Sequence, residues 1–208
     1  MARVAGMKEK LHSPLYDSIF VRGANGGSAQ RLTDAVTDSR VLRFFVDVQN
    51  KTRLETNLQA AGVLPSLNSF EARAMRVVVS SLVEIPVEQG EPPIQQNEAR
   101  FIADLIYNSV TTLLVGEKTM IEMPTYWFPA GAGVSPGGGV VANIILQNHG
   151  EPNHLNSFRF AEPVFIESQQ NFRVEIAFPH DLPPTVREAL GPYRIWVVLD
   201  GYLTRDVQ

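Results

Sequence analysis

The sequence predicts an all-β fold, an antiparallel single jelly-roll sandwich of about eight strands with two or three short helices. Three observations lead to this prediction. β-Branched and aromatic residues gather in short runs that are separated by turns rich in Gly, Pro and Asn. Strands do not alternate with helices at a regular spacing, which argues against a parallel α/β sheet. No segment of 20 to 50 residues repeats, which excludes solenoids and propellers.

The first predicted elements lie between residues 41 and 87. Residues 41–49 have the β-branched and aromatic content of a strand. Thr52 and Glu55 have the spacing of a capping box, which predicts a short helix that ends near Gly62. Because polar and apolar residues also alternate there, a strand over 52–58 remains an alternative. Residues 70–87 form the longest stretch typical of a strand.

The second half of the chain predicts one amphipathic helix and a series of strands. Residues 97–109 place four apolar side chains on one helical face, and Asn97 can cap its start. Residues 111–122 predict a hairpin that turns at Gly116. Residues 129–139 form a loop rich in Gly and Pro. Further strands are expected at 140–147, 157–167, 172–178 and 193–202, with a short helix at 183–190.

The charge distribution predicts two parts of the chain. Residues 1–32 carry a net charge of +3, whereas the remainder carries −7. We therefore expect residues 1–32 to form a flexible N-terminal arm that partners order, with residues 33–208 forming a single β-sandwich domain. The apolar residues Leu15, Ile19 and Phe20 would then be buried against a neighbouring subunit. A leader without a role is the alternative.

Composition argues against most enzyme classes. The chain contains no cysteine and four histidines, which excludes disulfides, thiolate zinc sites and cysteine nucleophiles. The start lacks the features of a secretory signal, and no run of 18 apolar residues predicts a transmembrane helix.

One serine lies in a pattern typical of hydrolases. Gly133, Ser135 and Gly137 match the Gly-x-Ser-x-Gly nucleophile elbow. The residue after the serine is Pro136, which has no N–H to donate to an oxyanion, and the glycines that follow do not start a helix. We therefore expect no hydrolase site here.

Histidines and carboxylates suggest two further kinds of site. His149 and His154, with Glu151 and His180, could complete a cupin-like metal site, but the His-x-His pattern of such sites is missing. Solvated loop histidines are the preferred interpretation. Four carboxylates near predicted strands could supply a glycosidase pair, although sequence does not give their separation. They are Glu122, Glu162, Glu167 and Glu175. We expect no enzyme, no cofactor and no metal.

Three consecutive aromatic residues are the strongest candidate for a binding surface. Tyr126, Trp127 and Phe128 precede the loop 129–139. Successive side chains of a strand point to opposite faces, so the three cannot all be buried on one side. At least one ring is therefore expected to be exposed or covered by a partner, which is typical of an interface.

Taken together, these features resemble jelly-roll capsid proteins of tailless icosahedral viruses, and the resemblance covers most of residues 40–205. The features that carry this resemblance are the polar arm, the compact β-rich body, the long Gly/Pro loops and the lack of a catalytic set. The segment 44–65, FFVDVQNKTRLETNLQAAGVLP, resembles structural proteins of tailless bacterial viruses.

The resemblance implies a structural role in a virion that is assembled in the host cytoplasm. The chain would self-assemble into homo-oligomeric capsomers, alone or with a second capsid protein, and would bind no small-molecule substrate. Its basic arm would make a weak contact with the genome or with an inner membrane. The alternatives are a carbohydrate- or receptor-binding β-sandwich module of a virion spike or tail and, less favoured, a cupin-like enzyme.

Overall fold

The computed structural model describes residues 8–21, 41–81, 98–128, 158–181 and 193–206. These residues form nine strands, one α-helix, α1 (Glu98–Tyr107), and one 3₁₀ turn (Thr125–Trp127). The strands are β1 (Lys8–His12), β2 (Leu15–Val21), β3 (Val41–Phe44), β4 (Ser69–Ser81), β5 (Val110–Val115), β6 (Lys118–Pro124), β7 (Arg159–Ile166), β8 (Phe172–Ala177) and β9 (Tyr193–Asp206).

The first sheet is built around the long strand β9. Both β1 and β2 pair with β9 on the same side and in one continuous register, from Lys8 opposite Asp206 to Val21 opposite Tyr193. The other side of β9 pairs with β4, and β4 pairs with β7. All these pairs are antiparallel. β1 and β2 therefore act as one edge strand that is interrupted at Pro14.

The second sheet has the strand order β3-β8-β5-β6, and it is also antiparallel. The predicted hairpin is confirmed as β5 and β6, and its turn contains Gly116 at a φ of 60°. Inward and outward side chains alternate strictly along β5 and β8. Each strand thus has one face that packs on the core and one that faces outward.

One hydrophobic core joins the two sheets. Residues of β4, β7 and β9 from the first sheet pack against residues of β3, β5 and β8 from the second. The fully buried large side chains include Phe44, Phe70, Met75, Leu113, Ile166 and Phe172. The all-β class predicted from sequence is therefore confirmed. No helix among the described residues is both long and apolar enough to cross a bilayer.

A bulge in β4 coincides with a glycine of β9. The register between the two strands shifts by one residue between Ala72 and Ala74, opposite Gly201. A Cβ atom at Gly201 would lie 2.1 Å from the carbonyl oxygen of Glu71. Only glycine permits this close approach of the two backbones.

Four of the long connections between strands, those that follow β2, β4, β6 and β8, leave the sheets at one end. Val21 and Ser81 both pair with Tyr193, so the chain leaves β2 and β4 where it enters β9. In the second sheet, Val110 pairs with Ala177 and Pro124 at the corresponding ends of β5, β8 and β6. The backbone N–H of Val77 donates to Phe128, which brings these ends of the two sheets together. The β5–β6 and β7–β8 turns lie at the opposite end.

Several predicted elements end earlier than the sequence suggests. The predicted strand 41–49 stops at Phe44, because Phe45 adopts a left-handed φ of 69°. The side chain of Glu55 accepts hydrogen bonds from Thr52, as the capping box predicts, but only a single turn forms instead of a helix. The predicted loop 129–139, the strand 140–147 and the helix 183–190 lie outside the described residues.

The predicted arm over residues 1–32 is wrong for residues 8–21. These residues form β1 and β2, and Leu15 is 5% exposed within the core of its own chain. The physical reason is register, since Leu15 and Ile19 lie opposite the buried Leu199 and Ile195 on β9. This stretch is therefore part of the sandwich. The rest of the predicted arm lies outside the described residues.

A short segment after β3 covers the free edge of β2. The backbone N–H of Tyr16 donates to the Asn57 side chain over 3.0 Å, and the Thr56 hydroxyl donates to the Tyr16 carbonyl over 3.1 Å. Asn57 also donates to the carbonyl of Pro14. Because these bonds occupy backbone groups of β2, they seal an edge that could otherwise pair with another chain.

Glu55 anchors this segment to the first sheet. Its carboxylate lies 3.4 Å from the guanidinium of Arg194 on β9. Burial alone would raise the pKa of Glu55. The hydrogen bonds from Thr52 and the charges of Arg194 and Lys51 outweigh that effect and hold its pKa below the ordinary value of 4.5. The ionised form therefore stabilises the fold.

Replacing Leu15 tests whether residues 8–21 belong to the body. We expect Leu15→Ala to lower the free energy of unfolding of the isolated chain by about 3 kcal/mol, because it leaves a cavity in the core. Urea unfolding measures this loss. Lys10→Ala is the control, since its contact with Glu71 is on the surface and should change stability by less than about 1 kcal/mol. If Leu15→Ala and Lys10→Ala lower stability by the same small amount, residues 8–21 form a detached arm.

The lowered pKa of Glu55 predicts a pH-dependent loss of stability. Its contribution is present above pH 4.5, the ordinary value, and is lost as pH falls through the lower pKa of the folded state. Glu55→Gln should therefore destabilise the chain by about 1 kcal/mol at neutral pH. The difference from wild type should shrink in acid.

Urea unfolding of both proteins across this pH range measures the difference. Glu71 also has a lowered pKa, through hydrogen bonds from Lys10 and Arg73. It titrates in both proteins, so the difference between them isolates Glu55. Glu117→Gln, at an exposed turn, should have little effect at any pH. A Glu55→Gln effect that is independent of pH would contradict the prediction.

Candidate subunit-contact surface

Three exposed aromatic side chains lie together at the end of the sandwich where the long connections leave. Tyr107 ends α1, and Tyr126 and Trp127 lie in the 3₁₀ turn that follows β6. Their side chains are 72%, 48% and 50% exposed. We call Tyr107, Tyr126 and Trp127 the aromatic patch.

The rings of the aromatic patch form a continuous row. The ring centroids of Tyr107 and Tyr126 are 6.1 Å apart, and those of Tyr126 and Trp127 are 6.3 Å apart. Each of these neighbouring pairs is tilted by 31°. The row thus offers a contiguous aromatic surface, with polar tips that can still hydrogen-bond.

Buried hydroxyl groups hold the turn that carries this surface. The Thr125 hydroxyl contacts the hydroxyl of Ser109 at 2.6 Å and that of Thr111 at 2.8 Å. Ser109 also donates to the carbonyl of Leu105 in α1 over 2.6 Å. The N–H of Thr125 donates to the carbonyl of Ser109. Because all three hydroxyls are buried, the turn is fixed to both α1 and β5.

Phe128 continues the aromatic run into the core. It is 1% exposed, and its ring packs edge-on against Phe158 at 5.3 Å. Phe158 also contacts the ring of Trp127 at 6.3 Å, in an edge-on arrangement of 73°. The exposed tryptophan is therefore supported from below by a partly buried ring, which limits its freedom before any partner binds.

Of the residues that sequence assigned to an interface, some are exposed in the structure and others are buried. Tyr126 and Trp127 are exposed, so the expectation that at least one of the three consecutive rings is not buried holds. Phe128 is a core residue and is not available to a partner. Leu15 is also buried, and Ile19 packs against the core.

The last assigned residue, Phe20, is partly buried on the first sheet. The guanidinium of Arg194 lies 5.5 Å from the centre of its ring. Leu15, Ile19 and Phe20 therefore belong to β2 and do not extend the aromatic patch. Sequence reasoning missed Tyr107. The available signal was its position next to Ile106, outside the apolar face predicted for the helix.

The other candidate residues form no catalytic cluster among the described residues. Glu175 lies in contact with the guanidinium groups of Arg43 and Arg173, at 3.4 and 2.8 Å. Glu122, on β6, is two strands away from Glu175 in the second sheet, across Thr112. The described part of the chain contains no group of three His, Cys, Asp or Glu side chains that could hold a metal ion.

The remaining candidates are exposed or not described. Glu162 and Glu167 are exposed on and after β7, and His180 is exposed in the turn after β8. Ser135, His149, Glu151 and His154 lie outside the described residues. The hydrolase and cupin interpretations therefore gain no support from the described geometry.

The chain matches no family model, no curated protein and no solved structure. Any functional assignment accordingly depends on the strand order and on the aromatic patch themselves.

Proposed function

We propose that the two sheets form a single jelly roll and that the chain is a structural capsid protein, which assembles with copies of itself into the shell of an icosahedral virus. The observation that carries this proposal is an exposed aromatic patch on a rigid base, at the loop-bearing end of a sandwich with rolled strand order. A second capsid protein is the further partner that we propose. Assembly would take place in the host cytoplasm, and the chain would have no enzymatic activity.

The pairing of the strands supports a jelly roll. When β1 and β2 are counted as one strand, eight strands remain. A long antiparallel hairpin that rolls up pairs its first strand with its eighth, its second with its seventh, its third with its sixth and its fourth with its fifth. The pairs β2–β9, β3–β8, β4–β7 and β5–β6 follow this rule. The further pairs β4–β9 and β5–β8 then join these strands into the two sheets.

The edge strands of both sheets have features that hinder pairing with a strand of another copy. β7 contains Pro163, which cannot donate a backbone hydrogen bond, and β6 has a register shift and ends at Pro124. The β2 edge is covered by Asn57, and β3 is only four residues long. Such features protect edge strands from other chains. Contacts between subunits are therefore expected to involve side chains at the ends of the sandwich.

The aromatic patch has the properties of an interface anchor. Aromatic residues are enriched at the centres of protein interfaces, where they exclude water over a large area. Trp127 and Tyr126 are each about half exposed while their backbone is fixed by Thr125. Because the turn is already ordered, little conformational entropy is lost when a second copy covers it.

A carbohydrate- or receptor-binding module is the second candidate function. The row of exposed rings in the aromatic patch supports it, because sugar rings stack on flat aromatic surfaces. In that case a glycan would change the fluorescence of Trp127 and the chain would not form particles. A cupin-like enzyme has no comparable observation in its favour.

Replacing Trp127 tests the proposed role. We expect Trp127→Ala to weaken assembly by about 2 kcal/mol, the loss typical of an aromatic anchor. This corresponds to a roughly 30-fold rise in the protein concentration at which particles form. Light scattering and electron microscopy measure particle formation. The midpoint of urea unfolding should stay close to that of the wild type, because the ring is half exposed.

Phe128→Ala is the matched control at the adjacent position. It removes a buried ring and should cost about 3–5 kcal/mol of fold stability. If Trp127→Ala destabilises the fold as strongly as Phe128→Ala does, then Trp127 belongs to the core. If the wild-type chain forms no particles, with or without a second capsid protein, the capsid proposal is wrong. Glycan binding that Trp127→Ala abolishes would then favour the alternative.

A further inference from the structure

A largely buried contact between a lysine and a carboxylate joins β2 to the segment that follows β3. Asp17 lies on β2 opposite Val197 and is 0% exposed. Its Oδ1 atom is 2.8 Å from the Nζ atom of Lys51, whose side chain is only 18% exposed. Its Oδ2 atom accepts a hydrogen bond of 2.6 Å from the backbone N–H of Phe45. The carboxyl group thus has the Lys51 nitrogen at one oxygen and a fixed N–H donor at the other.

We propose that Asp17 and Lys51 condense after folding into an intramolecular isopeptide bond, which makes this pair a site of covalent self-modification. The inference is independent of the proposed function, because it concerns residues that the aromatic patch does not include. It needs no cofactor, oxidant or other reactant.

The reaction balances within the pair. A proton first passes from the Lys51 ammonium to the Asp17 carboxylate, which leaves a neutral amine and a carboxylic acid. The lone pair of Nζ then attacks Cγ of Asp17. Oδ2 takes the developing negative charge, which the Phe45 N–H stabilises as an oxyanion donor. Nζ passes a second proton to the Oδ1 hydroxyl, which leaves as water, and an amide with Oδ2 as its carbonyl oxygen remains.

Burial distinguishes this pair from an ordinary surface ion pair. Water favours the charged forms of both groups, and removing it costs an ion pair much of its stability relative to the neutral pair. The fold also holds both groups in contact, so the reaction is intramolecular and needs no collision between separate molecules. The Lys10–Glu71 contact differs because the Lys10 side chain is 47% exposed.

The bond would close a covalent loop from residue 17 to residue 51. It would connect β2 of the first sheet to the segment that follows β3 of the second sheet. A cross-link of this kind restricts the unfolded chain as a disulfide does. The chain contains no cysteine with which to form a disulfide.

Mass spectrometry of the folded and then acid-denatured full chain tests the proposal. We expect the intact mass to be lower than the sequence mass by one water molecule. Trypsin should then release residues 11–22 joined to residues 44–53, because a modified Lys51 is not cleaved. Lys51→Arg keeps the positive charge but has no nucleophilic amine, and it should show the full mass. Lys10→Arg is the matched control and should retain the mass deficit.

Three results would overturn the proposal. An intact wild-type mass equal to the sequence mass shows that no bond forms. A mass deficit without the joined peptides identifies a cyclic imide at an aspartate instead. A deficit that persists in Lys51→Arg assigns the lost water to another site. The capsid proposal stands or falls separately, because particle formation does not enter these measurements.

Discussion

The contact among Asp17, Lys51 and Phe45 is the constraint on which the arrangement of the two sheets depends. Asp17 faces the interior between the sheets, where an unpaired carboxylate would cost about 3–5 kcal/mol. The two partners come from the chain that follows β3, in the opposite sheet. The N–H of Phe45 donates to the carboxylate, and the left-handed φ of the same residue ends β3 at this point. The partners of one buried carboxyl group therefore lie where β3 stops and where the chain leaves the second sheet.

The predictable part of the fold is the part that local alternation describes. β8 alternates apolar and polar residues in its sequence, FRVEIA, and β5 was predicted from the hairpin turn at Gly116 that follows it. β2 lacks that pattern because Asp17 and Ser18 are both polar and both buried. Its burial depends on pairing with β9, about 180 residues away in sequence, which no local pattern contains. The flexible-arm hypothesis was wrong over residues 8–21 for this reason.

An exposed ring among residues 126–128 could be predicted from the sequence, but the set of residues that form the aromatic patch could not. Three consecutive aromatic residues implied that at least one ring is not buried, since side chains along a strand alternate. Which ring is buried follows from the 3₁₀ turn at Thr125–Trp127. That turn is held by Ser109 and Thr111, two small polar residues with no pattern of their own. Tyr107 joins the patch only because α1 packs beside the turn, so a contact distant in sequence defines the surface.

The aromatic patch and the contact among Asp17, Phe45 and Lys51 are formed by separate parts of the chain. The patch and its support come from residues 105–128 and 158–160, whereas the buried contact comes from Asp17, Phe45 and Lys51. Gly201 and the bulge of β4 fix the register between β4 and β9 within the first sheet. A substitution at the exposed rings can therefore change what the surface binds while the sheets keep their arrangement. In the assembly that we propose, this independence would let the contact surface vary without loss of the fold that presents it.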